Sequence, residues 1–362
     1  MTGTEAPSYP RTNAGRSADM PKWRLPRVLA AILFVTIGLF GKARAESVDD
    51  FYRGRQINMI IATNPGSGYD IYARLLIAHM GRHIPGSPTF VPRNLIGAGG
   101  LRTGEYIYRI APKDGSHIGT YTRGLPFEPL LGQNELNMDP LQFTWLGSMN
   151  RETSVAFSWG TSAVRHVSDL RVRELLTPGT GAGADSEIMP LAFNNLTGTK
   201  FRVIKGYKGT AEATLAVERG ELDGIAYWSF GALNAVHRHW IEGRKINFLF
   251  HTGAGELTFL PGVPSIHSLV RNETDRQALD FILAREALGR PFFTSPGIPL
   301  DRADALRKAF SAAMRDPALI ADAQARQLDI GLVTGQQIED ILQQASKAPP
   351  HVLARVKEAL ER

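Results

Sequence analysis

Short apolar runs alternate with longer helical patterns along most of this 362-residue chain. The short runs are typical of buried strands, and the longer segments repeat their apolar positions every three or four residues. This alternation predicts an α/β fold with largely parallel sheets. We predict strands at 57–62, 89–93, 117–122, 144–149, 153–159, 174–177, 201–205, 222–228 and 247–251.

Helices are predicted between these strands and through most of the last third of the chain. One begins near Asp70, and the others cover 101–111, 187–196, 210–219, 301–315 and 338–348. Within 301–315, apolar residues four positions apart form a single stripe that a core would cover. Thr334 and Gln337 have the spacing of a capping box at the start of the last predicted helix.

Two glycine-rich turns repeat the same local pattern. The stretches IIATNPGSGYD, residues 60–70, and PGTGAGADS, residues 178–186, each lie between a predicted strand and a predicted helix. Backbone N–H groups at such a turn can hold an anion. We predict that the two turns face each other across a cleft and share one anion. Ser67 and Tyr69 add hydroxyl groups suited to direct contact with a ligand.

The N-terminal segment has the pattern of an export signal. A basic stretch at 22–27 precedes an apolar run at 28–40, and the small-x-small triplet at 43–45 suits a signal peptidase. The apolar run is shorter than the roughly 20 residues that a membrane-spanning helix needs. We therefore predict a signal peptide region at 1–45, cleaved after Ala45, with translation starting at Met20.

Removing this segment changes the charge of the protein. The whole chain has a net charge of +6. Residues 1–45 hold seven basic and two acidic residues, so the remainder carries only +1. That balance argues against nucleic acid as a partner. The chain has no cysteine, which excludes disulfides, thiolate metal sites and cysteine nucleophiles.

The motifs of common enzyme classes are absent from both turns. Neither has the Lys-Ser/Thr pair of a P-loop, and the first lacks the third glycine of a dinucleotide fingerprint. An exported hydrolase using Ser67 or Ser186 stays an alternative, but no motif places a histidine beside either serine. His237 and His239 are neighbours on a predicted helix, where side chains point in different directions. We expect no catalysis, no cofactor and no metal.

Three blocks of sequence carry a resemblance to a known family. The blocks ATNPGSGYDIYARLL, NLIGAGGLRTGEYIYRIAPKDGSHIG and GAGADSEIMPLAFNNLTGTKFRVIKGYKGTAEATLAVERGELDG resemble the extracytoplasmic solute receptors of tripartite tricarboxylate transporters, the TctC or Bug type. The resemblance implies a two-lobed periplasmic binding protein of type II (Venus-flytrap) architecture, with the ligand cleft between the lobes. It also implies a monomeric periplasmic receptor that captures a small organic acid and delivers it to integral-membrane transporter subunits. A receptor that feeds a membrane sensor is a further alternative.

The resemblance also implies the lobes and the ligand-binding residues. The first lobe would contain 48–122 plus 252–362, and the second 123–251. Asp70 is expected to cap its helix, and Lys208 to pair with a ligand carboxylate. Tyr69 and the high charge of 271–290 depart from the family pattern. The candidate ligand-binding residues are Thr63, Asn64, Gly66, Ser67, Gly68, Tyr69, Asp70, Thr180, Gly181, Ala182, Gly183, Ser186, Tyr207, Lys208 and Asp223.

Overall fold

The computed structural model describes residues 46–97, 100–131, 138–181, 184–253 and 255–361. The segment Ser47–Arg362 forms one compact unit. The predicted signal peptide region at 1–45 lies outside the described residues. Within the described ranges, no helix has the length and the apolar character needed to cross a bilayer.

The largest of the three sheets has six strands, in the order β11-β4-β10-β3-β1-β2. The three strands β1, β2 and β3 are parallel, whereas β10 runs antiparallel to both β3 and β4. The sheet is therefore mixed. The prediction of largely parallel sheets is wrong for the half formed by β10, β4 and β11, which pair antiparallel. Its strands are β1 Gln56–Ile61, β2 Thr89–Asn94, β3 His117–Thr120, β4 Thr144–Ser148, β10 Pro291–Thr294 and β11 Val333–Thr334.

Two smaller sheets belong to the middle of the chain. An antiparallel sheet has the order β8-β5-β9, and a parallel pair joins β6 to β7. The predicted second lobe of 123–251 contributes β4 to the six-stranded sheet, so the chain crosses between sheets after that strand. The strands of the smaller sheets are β5 Ser154–Trp159, β6 Leu175–Gly179, β7 Phe201–Lys205, β8 Gly224–Ser229 and β9 Ile246–His251.

Most helices lie where the sequence predicts them. The predicted helix 101–111 is a short α-helix continued by a π-helix at Tyr106–Ile110. The capping box at Thr334 is confirmed, with Gln337 donating and accepting as predicted. The α-helices are Val48–Tyr52, Gly68–Met80, Leu101–Glu105, Asp185–Thr197, Thr210–Glu218, Phe230–Glu242, Glu273–Leu283, Leu300–Ala313, Pro317–Ala325, Gly335–Ser346 and Pro350–Leu360.

The core follows from the alternation of the strands and the apolar stripes of the helices. On β1, Ile57, Met59 and Ile61 are fully buried under the Gly68–Met80 helix. The predicted stripe on Leu300–Ala313 packs into the same cluster. The C-terminal helix Pro350–Leu360 packs instead against Asp185–Thr197 and Glu273–Leu283, so it covers helices from both parts of the chain.

Candidate functional site

The first glycine turn joins the end of β1 to the Gly68–Met80 helix. Ser67 is the N-cap, and its Oγ accepts the N–H of Asp70 at 3.4 Å. Gly66 has φ +80°, a left-handed conformation that glycine adopts without steric cost. The turn is therefore built by its glycine and serine.

The carboxylate of Asp70 fixes the shape of this turn through hydrogen bonds. Its buried carboxylate accepts the N–H of Gly66 at 2.9 Å, Nε of Arg74 at 2.8 Å and Nδ2 of Asn94 at 2.9 Å. Burial raises the pKa of Asp70, but the hydrogen bonds from Arg74 and Asn94 outweigh it and hold the pKa below its usual value. The expectation that Asp70 caps the helix is wrong, because Ser67 occupies the N-cap and Asp70 lies three residues further on.

The remaining residues of the first turn are tied to one another. Oγ of Ser67 donates to Oγ1 of Thr63 at 2.6 Å, and the N–H of Ser67 donates to the carbonyl of Asn64. Asn94 also donates to the carbonyl of Thr63 at 2.7 Å. Across the described ranges, Ser67 has no hydrogen bond to a histidine, the usual base for a serine nucleophile.

The second glycine turn joins β6 to the Asp185–Thr197 helix. The N–H and Oγ1 of Thr180 bond Oγ of Ser186 at 3.1 and 2.8 Å. The N–H of Gly181 donates to Oε1 of Glu187 at 3.1 Å. Ser186, like Ser67, bonds no histidine in the described part of the chain. The predicted contacts at Ala182 and Gly183 lie outside the described residues.

Each turn leaves two backbone donors at the start of its helix. The first-turn N–H groups of a helix have no partner within the helix. The N–H groups of Gly68 and Tyr69 donate to no other described residue, and neither do those of Asp185 and Ser186. The partial positive charge of both helix N-termini favours an anion at these four groups.

An open cavity of about 430 Å³ lies beside the second turn. Lys205 in its wall is 3.5 Å from the carboxylate of Glu187, whereas no ion pair to a described residue holds the exposed Lys208 ammonium. Burial raises the pKa of Tyr207, which keeps its hydroxyl a donor at neutral pH. The residues that line the cavity are Thr180, Gly181, Glu187, Lys205, Gly206, Tyr207 and Lys208.

Asp223 lies away from this cavity. Its Oδ2 accepts the N–H of Leu176 at 2.9 Å, near the start of β6. The glycine turn follows the other end of that strand, roughly 13 Å away at about 3.3 Å per residue. Asp223 therefore ties strands together, and the structure does not bring it to the other candidate residues.

Arg123, which the sequence does not single out, connects the two turns. Its N–H donates to the hydroxyl of Tyr69 at 2.9 Å, and its Nε lies 3.4 Å from Oδ2 of Asp185. One residue thus contacts the start of both helices. Arg123 thereby links the side chains of Tyr69 and Asp185, which belong to the first turns of the two helices.

A buried ion cluster supports Arg123 and Tyr69. Oε2 of Glu152 is 2.5 Å from Nη1 of Arg123, and Oε1 is 2.6 Å from Nη1 of Arg290. The guanidinium of Arg290 lies over the ring of Tyr69 at 4.6 Å and that of Tyr72 at 5.0 Å. Burial raises the pKa of Tyr69, although Arg290 and Arg123 oppose that shift, so its hydroxyl stays protonated.

The other half of the cluster comes from 271–290, the stretch whose charge departs from the family pattern. Nη1 of Arg285 lies 3.2 Å from Oδ1 of Asp185. Buried Glu286 accepts the Tyr227 hydroxyl at 2.9 Å and the Thr252 hydroxyl at 2.7 Å. Burial raises the pKa of Glu286 despite the opposing charge of Arg123. That local excess of charge was the only sequence signal for these residues.

No known family profile matches this sequence, and no curated protein sequence matches it. Solved structures do match its fold. A TctC solute-binding protein from Polaromonas is 16% identical over 85% of this chain and 99% of its own, with a TM-score of 0.62. The periplasmic binding protein BugD is 19% identical over 86% and 99%, with a TM-score of 0.63. MatC from Rhodopseudomonas palustris with bound malate is 16% identical over 85% and 99%, with a TM-score of 0.61.

The chain has the fold of TctC-type solute-binding proteins. The predicted α/β periplasmic-binding-protein architecture is thereby confirmed. In this TctC-type fold, the predicted residues of the first turn lie together at one helix N-terminus, and the described residues of the second turn lie at another. Tyr207 and Lys208 join the second turn through the shared cavity.

Proposed function

We propose that this protein is a periplasmic receptor that captures an organic carboxylate and delivers it to a membrane transporter. One observation carries the proposal. Two helix N-termini, each with two backbone N–H groups that no other described residue accepts, are connected through Arg123. In this proposal the four N–H groups would donate to one anion when the two turns close on it.

The donors suit a carboxylate because they are fixed before the ligand arrives. Asp70 and Glu187 hold the two turns by accepting the N–H groups of Gly66 and Gly181. The neighbouring N–H groups therefore need no reordering when an anion binds, which reduces the entropic cost. Each hydrogen bond to a charged group contributes about 1.5–3 kcal/mol.

The cavity beside the second turn would hold the rest of the ligand. Lys208 would attract a second carboxylate, and the hydroxyl of Tyr207 would donate to a polar group. Tyr69 would form the opposite wall, since Arg123 and Arg290 fix its hydroxyl and its ring. We infer that Tyr69 limits the size of the acid that fits.

The lobes that we propose are 48–122 plus 252–362 and 123–251, with β4 crossing from the second into the sheet of the first. Closure of the lobes would bring the two turns onto the ligand and exclude water. The pattern at 22–45 supports export to the periplasm. The relationship in fold to MatC, which was solved with malate, supports an organic acid as ligand.

The experiment is a thermal-shift screen of the protein against organic mono-, di- and tricarboxylic acids, with neutral sugars as controls. A ligand that binds only the folded state at 100 times its Kd adds about 2.7 kcal/mol of stability. We expect at least one acid, and no sugar, to raise the midpoint. Stabilisation by sugars and by no carboxylate would refute the proposal.

The contribution of the cavity is tested by two matched lysine variants. Lys208→Met removes the cavity ammonium, and Lys200→Met removes an exposed lysine at the start of β7. We expect only Lys208→Met to weaken binding of the selected acid. Equal affinities in both variants would show that Lys208 does not contribute to binding of the acid.

A further inference from the structure

A cluster of three potential metal ligands lies away from the candidate ligand site. One ligand atom each of Glu218, His237 and His239 lies within 4.8 Å of the others. Glu218 ends the Thr210–Glu218 helix, and both histidines belong to Phe230–Glu242. The cluster therefore joins two helices of the proposed second lobe.

The two histidines meet because their helix is kinked. His237 has φ −126° and ψ 33°, which is not helical. The rings of His237 and His239 consequently lie 5.9 Å apart between centroids. The expectation of no metal assumed a regular helix, on which residues two apart face different directions. That assumption is wrong at this kink.

Trp240 holds the cluster in place from the buried side. Its Nε1–H donates to Oε1 of Glu218 at 2.8 Å, and its ring lies 4.0 Å from that of His237. Carboxylates that ligate metals are commonly held by such a hydrogen bond, which orients them. One oxygen of Glu218 is thus fixed, while the side chain as a whole stays exposed.

His237 has a buried ring nitrogen without a hydrogen-bond partner among the described residues. Its Nδ1 is buried and bonds no other described residue, which is uncommon for a buried polar atom. A ring nitrogen without a hydrogen-bond partner is available to a metal ion.

We propose that Glu218, His237 and His239 bind one Zn²⁺ ion. Two imidazoles and one carboxylate form a set that zinc accepts, and they leave a fourth position for water. Zinc at about 2.1 Å from each donor needs donors about 3.4 Å apart in tetrahedral geometry. Because Glu218 and His239 are exposed, their side chains can close the remaining distance by small rotations. The ion would then join the two helices.

The test is calorimetric titration of the purified full-length protein with ZnCl₂ in a buffer that does not chelate zinc. His239→Ala and Glu218→Gln each remove one exposed ligand, and the amide oxygen introduced by Glu218→Gln can still accept the N–H of Trp240. His351→Ala is the matched control, since His351 is also an exposed histidine on a helix. Circular dichroism checks that each variant is folded.

We expect one Zn²⁺ per chain in the wild type and in His351→Ala. Loss of a partner that only orients a ligand costs about 10–100-fold in affinity, so loss of a ligand should cost at least about tenfold. Both His239→Ala and Glu218→Gln should show that loss. The proposal is overturned if the wild type binds no zinc, or if His239→Ala binds it as tightly as His351→Ala.

Discussion

Replacing Arg123 with methionine removes a buried guanidinium and keeps a side chain of similar length. The side chain of Arg123 is only 6% exposed, and its Nη1 is 2.5 Å from the carboxylate of Glu152. Its Nη2 also donates to Oγ of Ser154 at 3.3 Å. In Arg123→Met, Glu152 keeps Arg290 as its cation and loses its second one.

The expected cost follows from the burial of this pair. Breaking a buried ion pair by removing one partner costs about 3–5 kcal/mol when the other charge stays buried without compensation. Because Arg290 still pairs with Glu152, we expect a cost toward the lower end of this range. An unfolding entropy of about 2.1 cal/mol/K per residue gives roughly 0.7 kcal/mol/K for a unit of this size. The unfolding midpoint of Arg123→Met should therefore fall by about 4–7 °C.

The assay is thermal unfolding followed by circular dichroism, with Arg202→Met as the control. Arg202 pairs with Glu174 at 3.3 Å on the surface, where the two side chains are 60% and 58% exposed. Such a pair contributes about 0.2–1 kcal/mol. A midpoint of Arg123→Met no lower than that of Arg202→Met would refute the buried cluster as a structural support for the two turns.

The other predictions concern the same region. Burial raises the pKa of Glu286 in the folded protein. The contribution of Glu286 to the free energy of unfolding is therefore fully present below its pKa in the unfolded chain, and it is lost as pH rises through its pKa in the folded protein. In urea unfolding, the wild type should lose stability relative to Glu286→Gln as pH rises above 4.5, and a constant difference would contradict this. The pKa of Asp70 is lowered from 3.8 in the folded protein. The contribution of its carboxylate to the free energy of unfolding is therefore present above pH 3.8 and is lost as pH falls through the folded pKa. Asp70→Asn should cost about 1–3 kcal/mol at pH 7, and the cost should shrink in acid; a cost that persists there would disprove the charge assignment. Tyr69→Phe leaves the N–H of Arg123 without its acceptor and should also cost about 1–3 kcal/mol, whereas an unchanged urea midpoint would show that this hydrogen bond contributes nothing.

The local elements of this fold are readable from the sequence because each depends on near neighbours. The capping box at Thr334 and the strand, turn and helix at 57–80 follow from spacing and residue type. The pairing of β4 with β10 and β11 does not, since it joins segments that lie more than a hundred residues apart. Strand order depends on such distant contacts, which leave no periodic signal.

The candidate site divides in the same way. The glycines and hydroxyls of both turns could be predicted, because tight turns and free N–H groups depend on local sequence. Arg123, Glu152 and Arg290 could not, since a charged residue in sequence is usually on the surface. Only the fold shows that these three are buried and paired. The position of Asp223 is also not readable from the sequence, because its carboxylate accepts the N–H of Leu176 near the start of β6.

The carboxylate site can be tested by comparing two variants of Asp185 that differ in one backbone donor. Asp185 is the first residue of its helix, where proline is tolerated and Ala184 already has φ −72° and ψ 146°. Asp185→Pro and Asp185→Ala both lose the carboxylate, but only the proline variant loses the N–H. A hydrogen bond to a charged group contributes about 1.5–3 kcal/mol, or roughly ten- to a hundredfold in affinity.

The measurement is calorimetric titration of both Asp185 variants with the acid that gives the largest thermal shift. We expect Asp185→Pro to bind this acid about ten- to a hundredfold more weakly than Asp185→Ala. Equal affinities of the two variants would show that the backbone N–H of residue 185 in the second turn does not hold the ligand.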